Sequence, residues 1–206
     1  MKFSYLALGD SYTIGEQVLP AENFPNQTVS ILNKTAARVD NLQGFAQPEI
    51  IAKTGWTTDE LDAAIDAAAV SDRYDIVSLL IGVNNQYRDR PVKNFEIEFE
   101  HLLQRAIQFA NNRPDHVFVL SIPDWGVTPF AEGRDRKKVA GEIDAYNNVC
   151  ETSAKQFLTN FINITVSQRE DGSKAEFLAG DGLHPSGKEY KKWAAKLAAA
   201  ILKKIS

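Results

Sequence analysis

The chain of 206 residues carries three histidines, His101, His116 and His184, and one cysteine, Cys150. Any imidazole or thiol chemistry has to draw on these four. His101 lies within Phe95-Glu96-Ile97-Glu98-Phe99-Glu100-His101-Leu102-Leu103, a helical pattern remote from any strand end. His116 opens an apolar run and so falls at the amino end of a strand. His184 is placed differently, in the turn-rich loop Gly180-Asp181-Gly182-Leu183-His184-Pro185-Ser186 just ahead of a helix. Gly182 allows a tight turn, and Pro185 restrains His184 to an extended backbone. Such a turn can set Asp181 against one imidazole nitrogen and leave the other facing a nucleophile. The candidate nucleophile is Ser11, just past the first apolar run. A serine hydroxyl attacks only when a base takes its proton, and a carboxylate holds that base in the right tautomer. Acyl transfer also needs donors for a developing oxyanion. Gly55 can give an unobstructed N–H, Asn84 a side-chain amide, and Ser11 its own N–H.

These residues need elements to hold them. Apolar runs at residues 3–8, 49–52, 75–81, 116–122 and 161–166 read as strands. Helical patterns cover about 24–38, 57–69, 92–111, 136–160 and 186–205. In the fourth, Val139, Ile143, Tyr146, Cys150, Phe157 and Leu158 form one apolar face, which makes Cys150 a packing residue. Alternation of apolar strands with helices predicts an α/β fold, a parallel sheet covered on both faces. With no repeat and no Gly/Ser-rich linker, residues 1–206 read as a single domain. Ligands of such sheets bind beyond the carboxyl ends of the strands. Ser11, Gly55, Asn84 and the loop Gly180–Pro185 all follow or adjoin such ends.

Gly9-Asp10-Ser11 near the start, Gly55 in a second block, Gly82-x-Asn84 in a third and Asp181-x-x-His184 near the end resemble the SGNH (GDSL) hydrolases. The blocks span nearly the whole chain in the expected order. The resemblance implies a three-layer α/β/α sandwich around a five-stranded parallel sheet, flavodoxin-like in its winding. It also implies carboxylic-ester hydrolysis through an acyl-serine with no cofactor and no metal. Carried over by position, Ser11 is nucleophile, His184 base and then acid, and Asp181 its orienting partner. Gly55, Asn84 and the Ser11 N–H form the oxyanion hole. Tyr12 departs from the usual Leu without consequence for the chemistry. Asn85 stands where the family usually has Asp, which questions the support behind Asn84.

Other readings compete less well. A metal-dependent hydrolase would use Asp181 and His184, with Asp10 and Asn84 as oxygen ligands, but the other histidines lie far away. A non-catalytic binding module on the same fold is a further class. Gly182 to Lys188 imitates a phosphate-binding loop, yet Glu189 replaces the hydroxyl residue that would hold Mg²⁺. Gly-x-Ser-x-Gly is absent, since Thr13 stands at its last position. A formal net charge of −4 argues against nucleic acid as partner. No apolar run reaches the roughly 18 residues of a membrane span, and the six-residue run after Lys2 is short for a signal peptide, so cytoplasmic residence is expected. The last helix, with Trp193, Leu197 and Ile201 at steps of four and several lysines, reads as a closing helix in preference to a membrane-surface one. The expected partner is a small ester: a short or medium acyl ester, an acetylated sugar or a lysophospholipid. A monomer is the default. Trp56, Tyr87, Trp125 and Phe130 are candidate pocket walls. Arg88, Arg90, Arg134 and Arg136 are candidates for meeting an acidic substrate, though loop solvation is the commoner role.

Overall fold

The computed structural model describes residues 2–39, 42–68, 70 and 73–205. Strands β1 (Tyr5–Gly9), β2 (Glu49–Ala52), β3 (Ile76–Leu80), β4 (Val117–Leu120) and β5 (Asn160–Ile162) form one parallel sheet in the order β2-β1-β3-β4-β5. Every residue of β1, β3 and β4 is buried, as expected of central strands covered on both faces. The edge strands β2 and β5 are only partly covered. Register sets Leu8 beside Ile51 on one side and Leu79 on the other. The fold is the three-layer α/β/α arrangement the sequence led us to expect.

The helices are α1 (Ser11–Ile14), α2 (Phe24–Ala36), α3 (Thr58–Ala67), α4 (Val83–Tyr87), α5 (Val92–Phe109), α6 (Arg136–Gln156), α7 (Thr165–Asp171) and α8 (Gly187–Ile205). Right-handed crossovers place α2 on one face and α3, α5 and α6 on the other. The packing follows that division: α2 lies on α8, while α5 contacts both α3 and α6. Local chemistry starts these helices. Asn23 accepts the Asn26 N–H at 2.9 Å ahead of α2, and Thr57 with Glu60 makes a capping box for α3. The winding reverses between β1 and β3, which opens a crevice at their carboxyl ends.

Helix α8 closes the sheet. Trp193, Ala194, Leu197, Ala198 and Ile201 are fully buried, and Trp193 Nε1 donates to Glu189 Oε1 at 2.9 Å. Its lysines are engaged at the surface: Lys188 with Glu176, Lys192 with Asp171, and Lys196 with the Asn163 carbonyl. Among the described residues no helix is long and apolar enough to cross a membrane. Cys150 is fully buried in the core, and burial pushes its thiol pKa up, away from reactivity.

Several boundaries differ from expectation. The run 161–166 is a strand only to Ile162. The Ile164 and Thr165 N–H groups both donate to Ser121 Oγ, at 2.8 and 3.0 Å, and that turns the chain into α7, a helix the periodicity did not signal. Helix α6 stops at Gln156 rather than 160. Leu158, expected on its buried face, has φ +59 and is 75% exposed, because Thr159 N closes back on Ala154 O at 2.9 Å. His116 ends a 3-10 turn ahead of β4, its Nδ1 bonded to the Asp75 carbonyl at 2.8 Å. Residue 69, expected in the second helix, lies outside the described residues.

The end of β3 depends on Gly82. Its φ is +127, and a Cβ there would lie 2.6 Å from the Phe95 ring and 2.7 Å from Ile122 Cδ1. Gly82→Ala is therefore expected to destabilise the protein by about 2 kcal/mol or more through combined backbone strain and overpacking. Urea unfolding measures this directly; an unchanged midpoint would show that the turn relaxes around a methyl group.

Candidate active site

Strand β1 delivers Ser11 to the crevice. Asp10 caps α1, its Oδ1 accepting the Tyr12 N–H at 3.0 Å, so Ser11 becomes the first helical residue. Ser11 is only 4% exposed. The second half of the site comes from the loop before α8. There Ala179 N donates to His184 O at 2.8 Å and Gly182 N to Ala179 O at 3.1 Å, which folds the loop back on itself. Asp181 Oδ1 accepts the N–H groups of Leu183 and His184, both at 3.0 Å. Its Oδ2 lies 2.6 Å from His184 Nδ1, and His184 Nε2 lies 3.0 Å from Ser11 Oγ. The Tyr12 ring packs against the imidazole, centroids 5.3 Å apart, and rests in turn on Trp193.

Proton positions follow from the charges. Burial pushes the Asp181 carboxyl up, but the His184 ring and the two backbone N–H groups outweigh it and hold its pKa below the usual carboxylate range. An ionised carboxylate is acceptor only, so Nδ1 carries the imidazole proton and Nε2 is free to accept from the Ser11 hydroxyl. The chain Asp181, His184, Ser11 thus runs in one direction.

The oxyanion candidates line the same cleft as Ser11. Asn84, on α4, uses one amide hydrogen on the Trp56 carbonyl at 2.9 Å and keeps a second. Gly55 has φ +84, and its carbonyl is drawn away by Arg88 Nη2 at 2.7 Å. The N–H groups of Ser11 and Gly55 have no acceptor among the described residues. A cleft of about 180 Å³ opens over these groups, walled by Val83, Leu183 and the rings of Tyr87, Trp125 and Phe130. Ser11, Gly55, Asn84 and His184 all line it, with Asp181 behind His184. Three of the four aromatic candidates face it. The fourth, Trp56, contributes its carbonyl to Asn84.

The remaining candidates fall elsewhere. His101 is an exposed partner of Asp62, 3.4 Å away. Arg88 bonds Gly55 O and Glu60, Arg90 pairs with Asp59 at 2.6 Å, and Arg136 donates to Gly126 O at 2.6 Å. Arg134 borders a neighbouring depression. Arg88, Arg90 and Arg136 thus brace loops. Among the described residues no group of three or more His, Cys, Asp or Glu side chains could hold a metal. Asp181 and His184 are committed to one another and to Ser11.

Asn85 has its own explanation. Its Oδ1 accepts the Thr58 N–H at 3.1 Å, while its Nδ2 donates to Thr58 Oγ1 at 2.6 Å and faces Glu98 Oε2 at 3.4 Å. Thr58 Oγ1 donates to the same Glu98 oxygen. An Asp here would set a second carboxylate against Glu98, whereas Asn can donate to it. Glu98, on α5, is the acid that Asn85 and Thr58 meet, and nothing in the local sequence marks it for that task. The link from Trp125 Nε1 through Gln86 to Glu142 was equally unmarked.

Burial pushes the Asp10 carboxyl up to about 7, against the pull of the backbone N–H it caps. The folded chain then holds a proton at Asp10 that the unfolded chain has already released above its ordinary value. Stability from this residue is therefore lost as pH rises from roughly 4 towards about 7, and stays level above. Asn can accept the same capping bond without ionising. Thermal melts of Asp10→Asn against wild type are expected to move in favour of the variant across that window. A pH-independent difference would show that Asp10 is charged throughout.

A family model described as GDSL-like lipase/acylhydrolase matches residues 7–192. Comparison with curated proteins finds no significant match. Among solved structures, the lipase/acylhydrolase from Enterococcus faecalis superposes with TM-score 0.73 at 20% identity, covering 100% of this chain and 98% of that one. The acetylxylan esterase Axe2 from Geobacillus stearothermophilus gives TM-score 0.69 at 18% identity, covering 99% and 94%. The psychrotrophic esterase EstA from Pseudoalteromonas sp. gives 0.66 at 17%, covering 98% of each. At these identities the likeness is one of fold. The family match spans all four blocks around the cleft, and the chain belongs to the GDSL-like lipase/acylhydrolase family of carboxylic ester hydrolases.

Proposed function

We propose that this protein, acting as one domain, hydrolyses short-chain carboxylic esters through an acyl-Ser11 intermediate. The observation that carries the reading is the continuous hydrogen-bond chain from Asp181 through His184 to Ser11 Oγ. The Ser11 hydroxyl gives its proton to His184 Nε2 as Oγ attacks the ester carbonyl carbon. Negative charge moves to the carbonyl oxygen, where the Ser11 and Gly55 N–H groups and the Asn84 amide can receive it. Each such donor is worth roughly 3–4 kcal/mol where one has been removed from other hydrolases. Collapse of the tetrahedral species expels the alcohol, which takes the proton from Nε2. Water then attacks acyl-Ser11 with His184 again as base, and the carboxylic acid leaves as Oγ recovers its proton. Asp181 stabilises the imidazolium formed in both halves and takes up no proton.

Acyl length follows from space. About 180 Å³ is less than the roughly 300–1,000 Å³ of clefts that engulf drug-sized ligands. An acetyl to butyryl group suits this volume better than a long acyl chain. The acetylxylan esterases among the fold relatives fit the same preference.

Ser11→Ala is expected to lower kcat/KM for p-nitrophenyl acetate by about 10³-fold or more, given the residual catalysis that binding and oxyanion donors alone sustain. A fluorophosphonate should modify Ser11 in the wild type, and a chelator should not alter turnover. In a p-nitrophenyl series of two to twelve acyl carbons, the rate should fall beyond butyrate. Normal turnover by a folded Ser11→Ala protein would refute the mechanism.

A further inference from the structure

The direction of proton transfer tells which wall of the cleft meets which half of the substrate. In the esterase reading, His184 must hand its proton to the departing alcohol, so the alcohol moiety leaves on the His184 side of Ser11. The oxyanion candidates Gly55 and Asn84 come instead from the ends of β2 and β3. Phe130 belongs to the His184 side through its backbone: its N–H donates to Gly182 O at 3.2 Å, within the loop that carries Asp181 and His184. Its ring is 45% exposed at the mouth of the cleft. The Trp125 ring meets it edge-on with centroids 6.0 Å apart, and the Tyr87 ring, 44% exposed, stands 6.3 Å away.

This wall is built to be rigid. Trp125 is buried, and its Nε1 donates to Gln86 Oε1 at 2.8 Å, while Gln86 Nε2 donates to Glu142 Oε2 at 2.8 Å. Two aromatic rings are therefore held at fixed spacing with much of their surface left to water, in the cleft that His184 also lines. An apolar ring surface fixed in that way is a poor way to end a core and a good surface for a ligand. A further flat ring placed at 4.5–7 Å would complete the cluster by edge or offset contact.

We propose that Phe130, with Tyr87 beside it, is the platform for the alcohol moiety and selects esters whose alcohol carries a flat ring. The proposal rests on the esterase reading and adds the leaving-group class to it. Benzyl acetate and ethyl acetate test it, because their alcohols have similar acidity and the ratio of kcat/KM values then reports contact more than chemistry. The wild type should prefer benzyl acetate. Phe130→Ala should reduce that preference about tenfold, and Phe130→Tyr should keep it. Phe130→Leu retains bulk in case the alanine variant misfolds, and it should lose the preference too. An unchanged preference in a folded Ala or Leu variant would overturn the proposal. So would a change that appears between ethyl acetate and ethyl butyrate instead, since that assigns the wall to the acyl group. Failure of the wild type to hydrolyse either ester, with Ser11 unlabelled by fluorophosphonate, would reject the esterase reading itself and this inference with it.

Discussion

The hydrogen bond between Ser11 Oγ and His184 Nε2 joins residues 173 positions apart, and the rest of the site is arranged so that this contact can form. Neither residue has useful chemistry alone. A serine hydroxyl needs a base within reach, and an imidazole needs a partner that fixes its tautomer. The constraint is geometric: the two groups come from opposite ends of the chain and must meet within a few tenths of an ångström. A parallel sheet meets it by making β1 a buried central strand, so that Ser11 starts from a fixed point. Packing of α8 on α2 meets the other half by anchoring the far end of the His184 loop.

Charge completes what packing begins. Asp181 is ionised because three N–H groups face it, and that ionisation gives the imidazole its direction. Asp10 is a carboxylate of the opposite kind: buried, raised towards neutrality, and committed to shaping the turn. Two aspartates in one site therefore have different duties set by their surroundings. Asn85 makes the same point from the other direction. With Glu98 already opposite, an amide satisfies both the Thr58 backbone and that acid, where a carboxylate would be repelled.

Much of the site was legible because its information is local. Gly9-Asp10-Ser11 and Asp181-x-x-His184 are turns whose geometry is written within a few residues, and the apolar runs of β1, β3 and β4 announce burial on both faces. What escaped reading depends on distant partners. Helix α7 begins where it does because Ser121 Oγ, on a different strand end, captures two backbone N–H groups. Leu158 looked like a core residue by spacing, but the backbone closes one step earlier and turns it outward. Glu98 is one of several acids on α5, and only the fold reveals which of them meets Asn85 and Thr58.

The proposed mechanism turns on which nitrogen of His184 carries the proton, and ¹⁵N NMR of the imidazole reads this without any substrate. At a pH where His184 is neutral, Nδ1 should have the shift of a protonated nitrogen, and Nε2 that of an unprotonated one receiving a hydrogen bond. The opposite tautomer, with the proton on Nε2 and pointed at Ser11, would leave the serine without a base and contradict the mechanism at its centre.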